Sequence, residues 1–348
     1  MGFQRFVQTF PVLVFGGLLV ASCRQSLPAE DCLANPPTSA GQSVCTVPGF
    51  DNRDFILHLP KNFDRATPLP IVFALHGGGG RKEGLGPMTC KNGDETDPSC
   101  LANVADERGF ILVLPDGTES KLNLRTWGAS EKSASFECVY ACEQDVDDIA
   151  YFNALLEHVG KLATIDPKRI FFTGFSNGAE MSHRIACDMA DRVAAIAPVG
   201  GANMIALTGT CAPTRPVPIL QIHGKADPCW KFDGGVGTCP GQPEGAYGSV
   251  VESTIGTADK PGWAIRNACM ADMPTTTALP DTASDGTTAE KQVFPGCMAD
   301  VEFVTVTGGG HTWPGGHQYL DADTVGLVSA DFSASEMIFD FFEAHPLP

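Results

Sequence analysis

Positive charge is scarce in this chain. Lys and Arg together number 23 against 41 Asp and Glu, and the formal net charge is -18. A surface so acidic repels phosphate backbones and anionic headgroups, which argues against nucleic acid or a charged membrane surface as a partner. Long hydrophobic runs are missing too. The apolar stretch from Val12 to Ala21 is too short to span a bilayer. It follows Arg5 and ends in Val20-Ala-Ser-Cys23, the pattern of a secretory leader. No Cys-x-x-Cys pair or Cys/His cluster has zinc-ligand spacing, so no metal is expected, and no cofactor either. The chain carries no internal repeat. The glycine run at 77–80 continues as Arg81-Lys-Glu rather than Gly-Lys-Ser/Thr, which excludes a P-loop.

What the chain does contain is a serine in an unusual setting. The run Ile170-Phe-Phe-Thr-Gly174-Phe-Ser176-Asn-Gly178-Ala-Glu is a short apolar strand, then Gly-x-Ser-x-Gly, then a helical pattern. A strand-to-helix turn this tight has no room for side chains at the two glycines, and it pushes the serine out at a helix N-terminus. Read alone, the motif is equally an ordinary turn with a capping serine. Upstream, Ile71-Val-Phe-Ala-Leu75 is a buried strand that runs into His76-Gly77-Gly78-Gly79-Gly80. Glycines there let backbone N–H groups face a ligand without an intervening Cβ. Downstream, the strand Pro218 to His223 leads into Gly224-Lys-Ala-Asp227, and the strand Val301 to Val306 leads into Gly308-Gly-Gly-His311-Thr-Trp313.

The order Ser, Asp, His, each after a strand, is that of the α/β-hydrolase arrangement. It predicts Ser176 as nucleophile, His311 as general base and Asp227 as the group that orients the imidazole. The N–H of Asn177, with that of Gly77 or Gly78, is expected to receive the oxyanion. His76 belongs to the glycine loop, His223 precedes the acid, and His183 falls in the helix after Ser176. His317 is the rival to His311. Trp230, Phe232 and Trp313 lie near the acid and base in sequence, where they could stack on substrate or equally be core.

Further motifs surround these. Gly174-Phe-Ser-Asn-Gly-Ala, Ala195-Ile-Ala-Pro-Val-Gly, Ile222-His-Gly-x-x-Asp-Pro and Gly308-Gly-Gly-His-Thr-Trp-Pro-Gly resemble the polyhydroxybutyrate depolymerase-like esterases, relatives of feruloyl and acetylxylan esterases. The resemblance extends to Val113-Leu-Pro-Asp-Gly-Thr118, Asp145-Val-Asp-Asp-Ile149 and Trp263-Ala-Ile-Arg-Asn-Ala-Cys269, and runs from near Asp51 to the end. It implies the same Ser176, Asp227 and His311 roles and an ester substrate: a 3-hydroxyalkanoate, a feruloyl-type plant polysaccharide ester, or an acetylated polysaccharide. An acyltransferase and a binding protein with an idle triad remain as alternatives. After Asp227 the chain departs from that family, reading Pro228-Cys-Trp-Lys-Phe-Asp before a glycine-rich loop. The segment between the oxyanion loop and Cys100 is also its own. No polymer-binding module follows the closing helix, which favours soluble esters or oligomers.

The chain has 13 cysteines. If Cys23 is lipidated, as its lipobox-like setting allows, an even number remains for a disulfide framework. Simple cleavage near Ala21 or Ser22 is the alternative. A lipid on Cys23 would be the only contact with a membrane. The spacings suggest Cys32–Cys45, Cys90–Cys100, Cys138–Cys142, Cys187–Cys211, Cys229–Cys239 and Cys269–Cys297. The family resemblance supports Cys187–Cys211 and Cys269–Cys297 in particular.

The expected organisation is a leader over 1–22, a tether over 23–47 and one α/β-hydrolase domain over 48–348. Strands are predicted at Phe55–Leu59, Ile71–Leu75, Phe110–Leu114, Ile170–Phe172, Ala194–Pro198, Ile219–His223 and Val301–Val306. Helices are predicted near Leu101–Arg108, Val146–Leu162, Asn177–Met189 and Ser333–Ala344. Alternating strands and helices imply a mostly parallel sheet covered on both faces, with an antiparallel early edge. The Pro-, Thr- and Ala-rich stretch from Met273 to Thr288 reads as a surface loop. The acidic run Glu143 to Asp148 reads as a first helical turn rather than a calcium site.

Overall fold

A computed structural model of the chain describes residues 28–50, 52–135, 139–238 and 245–348. The expected leader and Cys23 lie outside the described residues. So do Cys138 and Cys239. Among the described residues no helix is long and apolar enough to cross a membrane.

The strands, in chain order, are β1 (Gly41–Cys45), β2 (Phe55–Leu59), β3 (Leu69–Leu75), β4 (Ile111–Pro115), β5 (Thr118–Glu119), β6 (Arg125–Thr126), β7 (Ile165–Phe175), β8 (Ala195–Val199), β9 (Ile219–Gly224), β10 (Gly235–Gly237), β11 (Gly245–Tyr247), β12 (Thr275–Ala278), β13 (Thr288–Val293) and β14 (Val301–Thr307). Ten of them form one sheet in the order β1-β2-β4-β3-β7-β8-β9-β14-β13-β12. Its centre, from β4 to β14, is parallel, and both edges are antiparallel. The pairs β5–β6 and β10–β11 are separate small ribbons.

Alternation along β3 shows why the sheet must be covered twice. Ile71, Phe73 and Leu75 enter one core with Phe152, Met181 and Ile185, while Val72 and Ala74 enter a second with Leu101, Phe339 and Phe342. Successive side chains of a strand point to opposite faces, so a strand apolar at every position needs helices on both. The helices up to the middle of the chain are α1 (Lys82–Met88), α2 (Leu101–Arg108), α3 (Tyr140–Glu143), α4 (Asp148–Leu162) and α5 (Asn177–Asp188); α4 and α5 cover the first face, and α2 and the C-terminal helix Ala334–Ala344 cover the second. Phe73 stacks on Phe172 with centroids 4.6 Å apart, and Phe171 stacks on Phe342 at the same separation on the other side. This is the α/β-hydrolase architecture that the sequence order implies.

Three differences from the sequence reading have physical causes. Residues 41–45 of the expected tether form β1, paired with β2 and held by the Cys32–Cys45 disulfide. The Met273–Thr288 stretch is not all loop. It contains β12, which pairs with β13, although the side chains of β12 are exposed. Backbone hydrogen bonds to an edge strand require no apolar pattern, so neither strand was legible from hydrophobicity. The long helix starts at Asp148, two residues later than expected, because Asp147 caps it by accepting from the Ala150 N–H at 2.9 Å. Asp148 is fully buried and ion-paired to Arg53 at 2.6 Å.

The pairs Cys32–Cys45, Cys90–Cys100, Cys187–Cys211 and Cys269–Cys297 are disulfides. Cys142 and Cys229 are disulfide-bonded as well.

Candidate active site

Four loops leave the C-terminal ends of the parallel strands β3, β7, β9 and β14 and converge, as expected where ligands bind in open α/β sheets. They carry His76 to Gly80, Ser176, Asp227 and His311. Ser176 has φ 55° and ψ -120°, a left-handed conformation that a non-glycine residue adopts only when its surroundings impose it. The surroundings here are backbone packed without Cβ atoms. A Cβ on Gly178 would sit 2.2 Å from the Leu75 carbonyl oxygen, and one on Gly174 would sit 2.5 Å from the Gly178 carbonyl. The sequence motif did not identify Gly201, whose Cβ would sit 2.6 Å from the Ser176 carbonyl oxygen.

The Asp227 carboxylate is fixed on one oxygen and available on the other. Oδ1 accepts the N–H groups of Cys229 and Trp230, each at 2.8 Å. Oδ2 lies 2.7 Å from His311 Nδ1. An imidazole bound this way carries its proton on Nδ1 and presents Nε2 as a base. The His311 ring packs on Phe175 at 4.6 Å, its N–H donates to the Val325 carbonyl at 2.6 Å, and its carbonyl accepts from Tyr319 Oη at 3.1 Å. The other histidines are engaged differently, although His223 Nε2 lies 3.5 Å from the same Asp227 oxygen. His223 donates from Nε2 to the Trp230 carbonyl at 2.7 Å, and burial pushes its pKa down. His183 accepts from the Trp263 indole at 2.9 Å on Nδ1, and burial lowers its pKa to about 3. His317 lies against Gly93 and is not among the cleft-lining residues.

His76 holds the glycine loop rather than reaching into chemistry. Its Nε2 accepts from the Gly117 N–H at 2.9 Å, so Nδ1 carries the proton and donates to the Gly77 carbonyl at 2.8 Å. Burial lowers its pKa to about 4, so the ring is neutral at ordinary pH. The N–H groups of Gly79 and Gly80 donate to Arg125 and Gly77 carbonyls. Gly77 and Gly78 are therefore the glycines of the loop whose N–H groups are not drawn into those bonds, and both line the cleft. Asn177 is held just as firmly through its side chain. Oδ1 accepts from the Trp127 N–H at 2.7 Å, and Nδ2 donates to the Trp127 carbonyl at 3.2 Å and to Glu180 Oε2 at 2.8 Å. The Trp127 indole in turn donates to the His76 carbonyl at 2.9 Å. One tryptophan thus ties the glycine loop to the residue after Ser176, and no local pattern in the sequence marked it.

These groups open on a cleft of about 270 Å³. Its lining includes His76, Gly77, Gly78, Ser176, Asn177 and His311 together with Leu85, Met88, Phe175, Trp230 and Tyr319. The aromatic residues expected near substrate divide. Trp230 lines the cleft and packs on Tyr247 at 4.4 Å. Phe232 stacks on Phe303 at 5.8 Å and is not part of the lining. Trp313 is fully buried in the core beneath the C-terminal helix, with its indole 3.2 Å from Ser335 Oγ. Donor atoms of Asp227, Cys229 and His311 come within 4.8 Å of one another. Because Cys229 is disulfide-bonded, it has no thiolate to offer a metal.

The sequence profile of the phospholipase/carboxylesterase family matches residues 133–237. Feruloyl esterase C of Emericella nidulans is 26% identical over 278 residues, covering 79% of this chain and 83% of that protein. Feruloyl esterase B of Piromyces equi is 29% identical over 269 residues, which are 74% of this chain but only 42% of that longer protein. Among solved structures, the acetyl xylan esterase from Aspergillus awamori superposes with a TM-score of 0.53 at 16% identity, over 79% of this chain and 94% of that one, a likeness of fold. The chain is a carboxylic ester hydrolase built on the α/β-hydrolase fold, and in sequence it is similar to feruloyl esterases and, over residues 133–237, to the phospholipase/carboxylesterase family.

Proposed function

We propose that the protein is a serine esterase that works through an acyl-enzyme, with Ser176 as nucleophile, His311 as acid–base and Asp227 as the group that orients it. The observation that carries this reading is the 2.7 Å contact between His311 Nδ1 and Asp227 in the cleft that Ser176 lines. His311 Nε2 takes the Ser176 proton as Oγ attacks the ester carbonyl. Negative charge develops on the carbonyl oxygen and is received by the N–H of Asn177 and that of Gly77 or Gly78, each such donor contributing about 3–4 kcal/mol. Collapse expels the alcohol with the proton from His311. Water, activated by the same imidazole, then releases the acid and restores Ser176.

The proposed substrate is an ester of a hydroxycinnamic acid such as ferulate, or of a 3-hydroxyalkanoic acid. The names of the Emericella and Piromyces relatives support the first, as does an apolar lining that includes Leu85, Met88, Phe175, Trp230 and Tyr319. The disulfides support action in an oxidising compartment outside the cytoplasm,. We further propose that Cys23 carries the lipid if the protein is surface-anchored; mass spectrometry of the mature N-terminus decides this.

The test is hydrolysis of methyl ferulate, a 3-hydroxybutyrate oligomer and acetylated xylan by the purified protein, beside Ser176→Ala and His311→Ala. Turnover of one acyl type, abolished in both variants, is expected. Turnover that survives both variants overturns the assignment of roles.

A further inference from the structure

Glu180 is the buried titratable group at the cleft that the reaction does not use. It sits in the first turn of α5, is 6% exposed, and is among the cleft-lining residues. One carboxyl oxygen, Oε2, accepts from Asn177 Nδ2 at 2.8 Å. The other, Oε1, makes no hydrogen bond among the described residues. That oxygen is not sealed from solvent and faces the cleft, where it is free to bond a ligand,. No cation pairs with Glu180 here, since Asn177 is its hydrogen-bonding partner among the described residues.

The setting restricts what that ligand is. Burial pushes the Glu180 carboxyl up to about 8, so at neutral pH it is mostly a neutral acid, able to donate as well as accept. It therefore suits a hydroxyl, which does both, better than a cation. Of the lining residues, Glu180, Trp230 and Tyr247 are buried, whereas Gly84 and Leu320 are exposed and form the rim. A group that terminates inside the site fits the buried lining. An alcohol that continues into a larger molecule needs the rim.

We propose that Glu180 selects esters whose acyl group carries a hydroxyl, by hydrogen-bonding that hydroxyl through its free carboxyl oxygen. The inference rests on the serine-esterase reading and narrows it: hydroxyacyl esters are favoured over acetyl esters at the same site. Two kinds of acyl group supply this chemistry, the phenol of a hydroxycinnamoyl group and the secondary alcohol of a 3-hydroxyalkanoyl group. A site that hydrogen-bonds a substrate hydroxyl rejects the analogue lacking it because its own polar group is left unpaired.

The experiment uses two matched pairs with the intact protein: methyl 4-hydroxycinnamate against methyl cinnamate, and ethyl 3-hydroxybutyrate against ethyl butyrate. 4-Nitrophenyl acetate serves as a general ester. Wild type, Glu180→Gln and Glu180→Met are compared by kcat/KM within each pair. Loss of the Asn177 contact lowers both members of a pair together, so the ratio isolates the hydroxyl contact. The expected wild-type ratio is at least roughly tenfold in one pair, falling to near one in Glu180→Met and partly retained in Glu180→Gln. The pair that shows the effect identifies the acyl source. A wild-type ratio near one in both pairs overturns the proposal, as does a ratio unchanged in a folded Glu180→Met or in Glu180→Gln and Glu180→Met alike. Absence of turnover on every ester, 4-nitrophenyl acetate included, overturns the serine-esterase reading itself.

Discussion

The two walls of the cleft are built on different principles. One consists of strand ends and backbone: His76 to Gly78 after β3, Ser176 and Asn177 after β7, His311 after β14. Its parts are locked by buried hydrogen bonds through Trp127, Asp227 and the neighbouring carbonyls. The other consists of side chains on connecting segments, including Leu85, Met88, Val139, Trp230, Tyr247 and Leu320. Several of these segments are closed by disulfides, with Cys90–Cys100 following Met88 and Cys229 beside Trp230. The sheet sets reaction geometry within the tolerance that catalysis needs, while loops are free to vary in what they accept.

Single substitutions are expected to cost most in the wall built from strand ends. Asp227→Asn keeps the shape but removes the acceptor that holds His311 in its tautomer. Steady-state hydrolysis of 4-nitrophenyl acetate is expected to drop about 10⁴-fold with little change in melting temperature; a drop of only a few-fold would separate Asp227 from the chemistry. Gly178→Ala places a Cβ 2.2 Å from the Leu75 carbonyl, with backbone rather than a flexible side chain in its way. Denaturant unfolding should show a loss of about 4 kcal/mol or no folded protein at all.

Glu180 has a folded pKa of about 8, above the unfolded value near 4.3. The folded state then holds the extra proton between those values, so stability relative to Glu180→Gln is full below about pH 4 and is lost as pH rises from there to about 8, by a few kcal/mol. Urea melts of the two proteins from pH 5 to pH 9 check this, and parallel curves would refute it. Cys187→Ser opens a disulfide that closes a sequence separation of 24. It should cost about 2–4 kcal/mol in thermal or urea unfolding, with kcat on 4-nitrophenyl acetate little affected because the bridge does not line the cleft.

The same division separates what the sequence made legible. Buried parallel strands announce themselves as apolar runs, and the loops that follow β3, β7, β9 and β14 carry glycine, histidine, aspartate and serine in a recognisable order. Ser176, Asp227 and His311 stand out on that basis; Ser176 and His311 line the cleft, and Asp227 contacts His311 at 2.7 Å. Glu180 left a fainter signal, a charged residue on the buried face of α5 four positions after the serine. Trp127 and Tyr319 left none: the Trp127 indole donates to a carbonyl 51 residues away and Tyr319 to one eight residues back, and a contact with a backbone carbonyl imposes no residue pattern. Trp313 misled by proximity: only two residues from His311, it is fully buried in the core beneath the C-terminal helix, with its indole on Ser335. The edge strand β12 and its neighbour β13 are held by backbone pairing with little apolar side-chain signature, which hydrophobic patterning does not register.

The left-handed backbone of Ser176 has a consequence for how this molecule was shaped by selection. Glycine adopts φ 55° without the penalty that a Cβ imposes,. A Ser176→Gly chain should therefore melt at a higher temperature than the natural one while hydrolysing nothing. At this position reactivity and durability pull in opposite directions, and the residue retained is the less comfortable of the two.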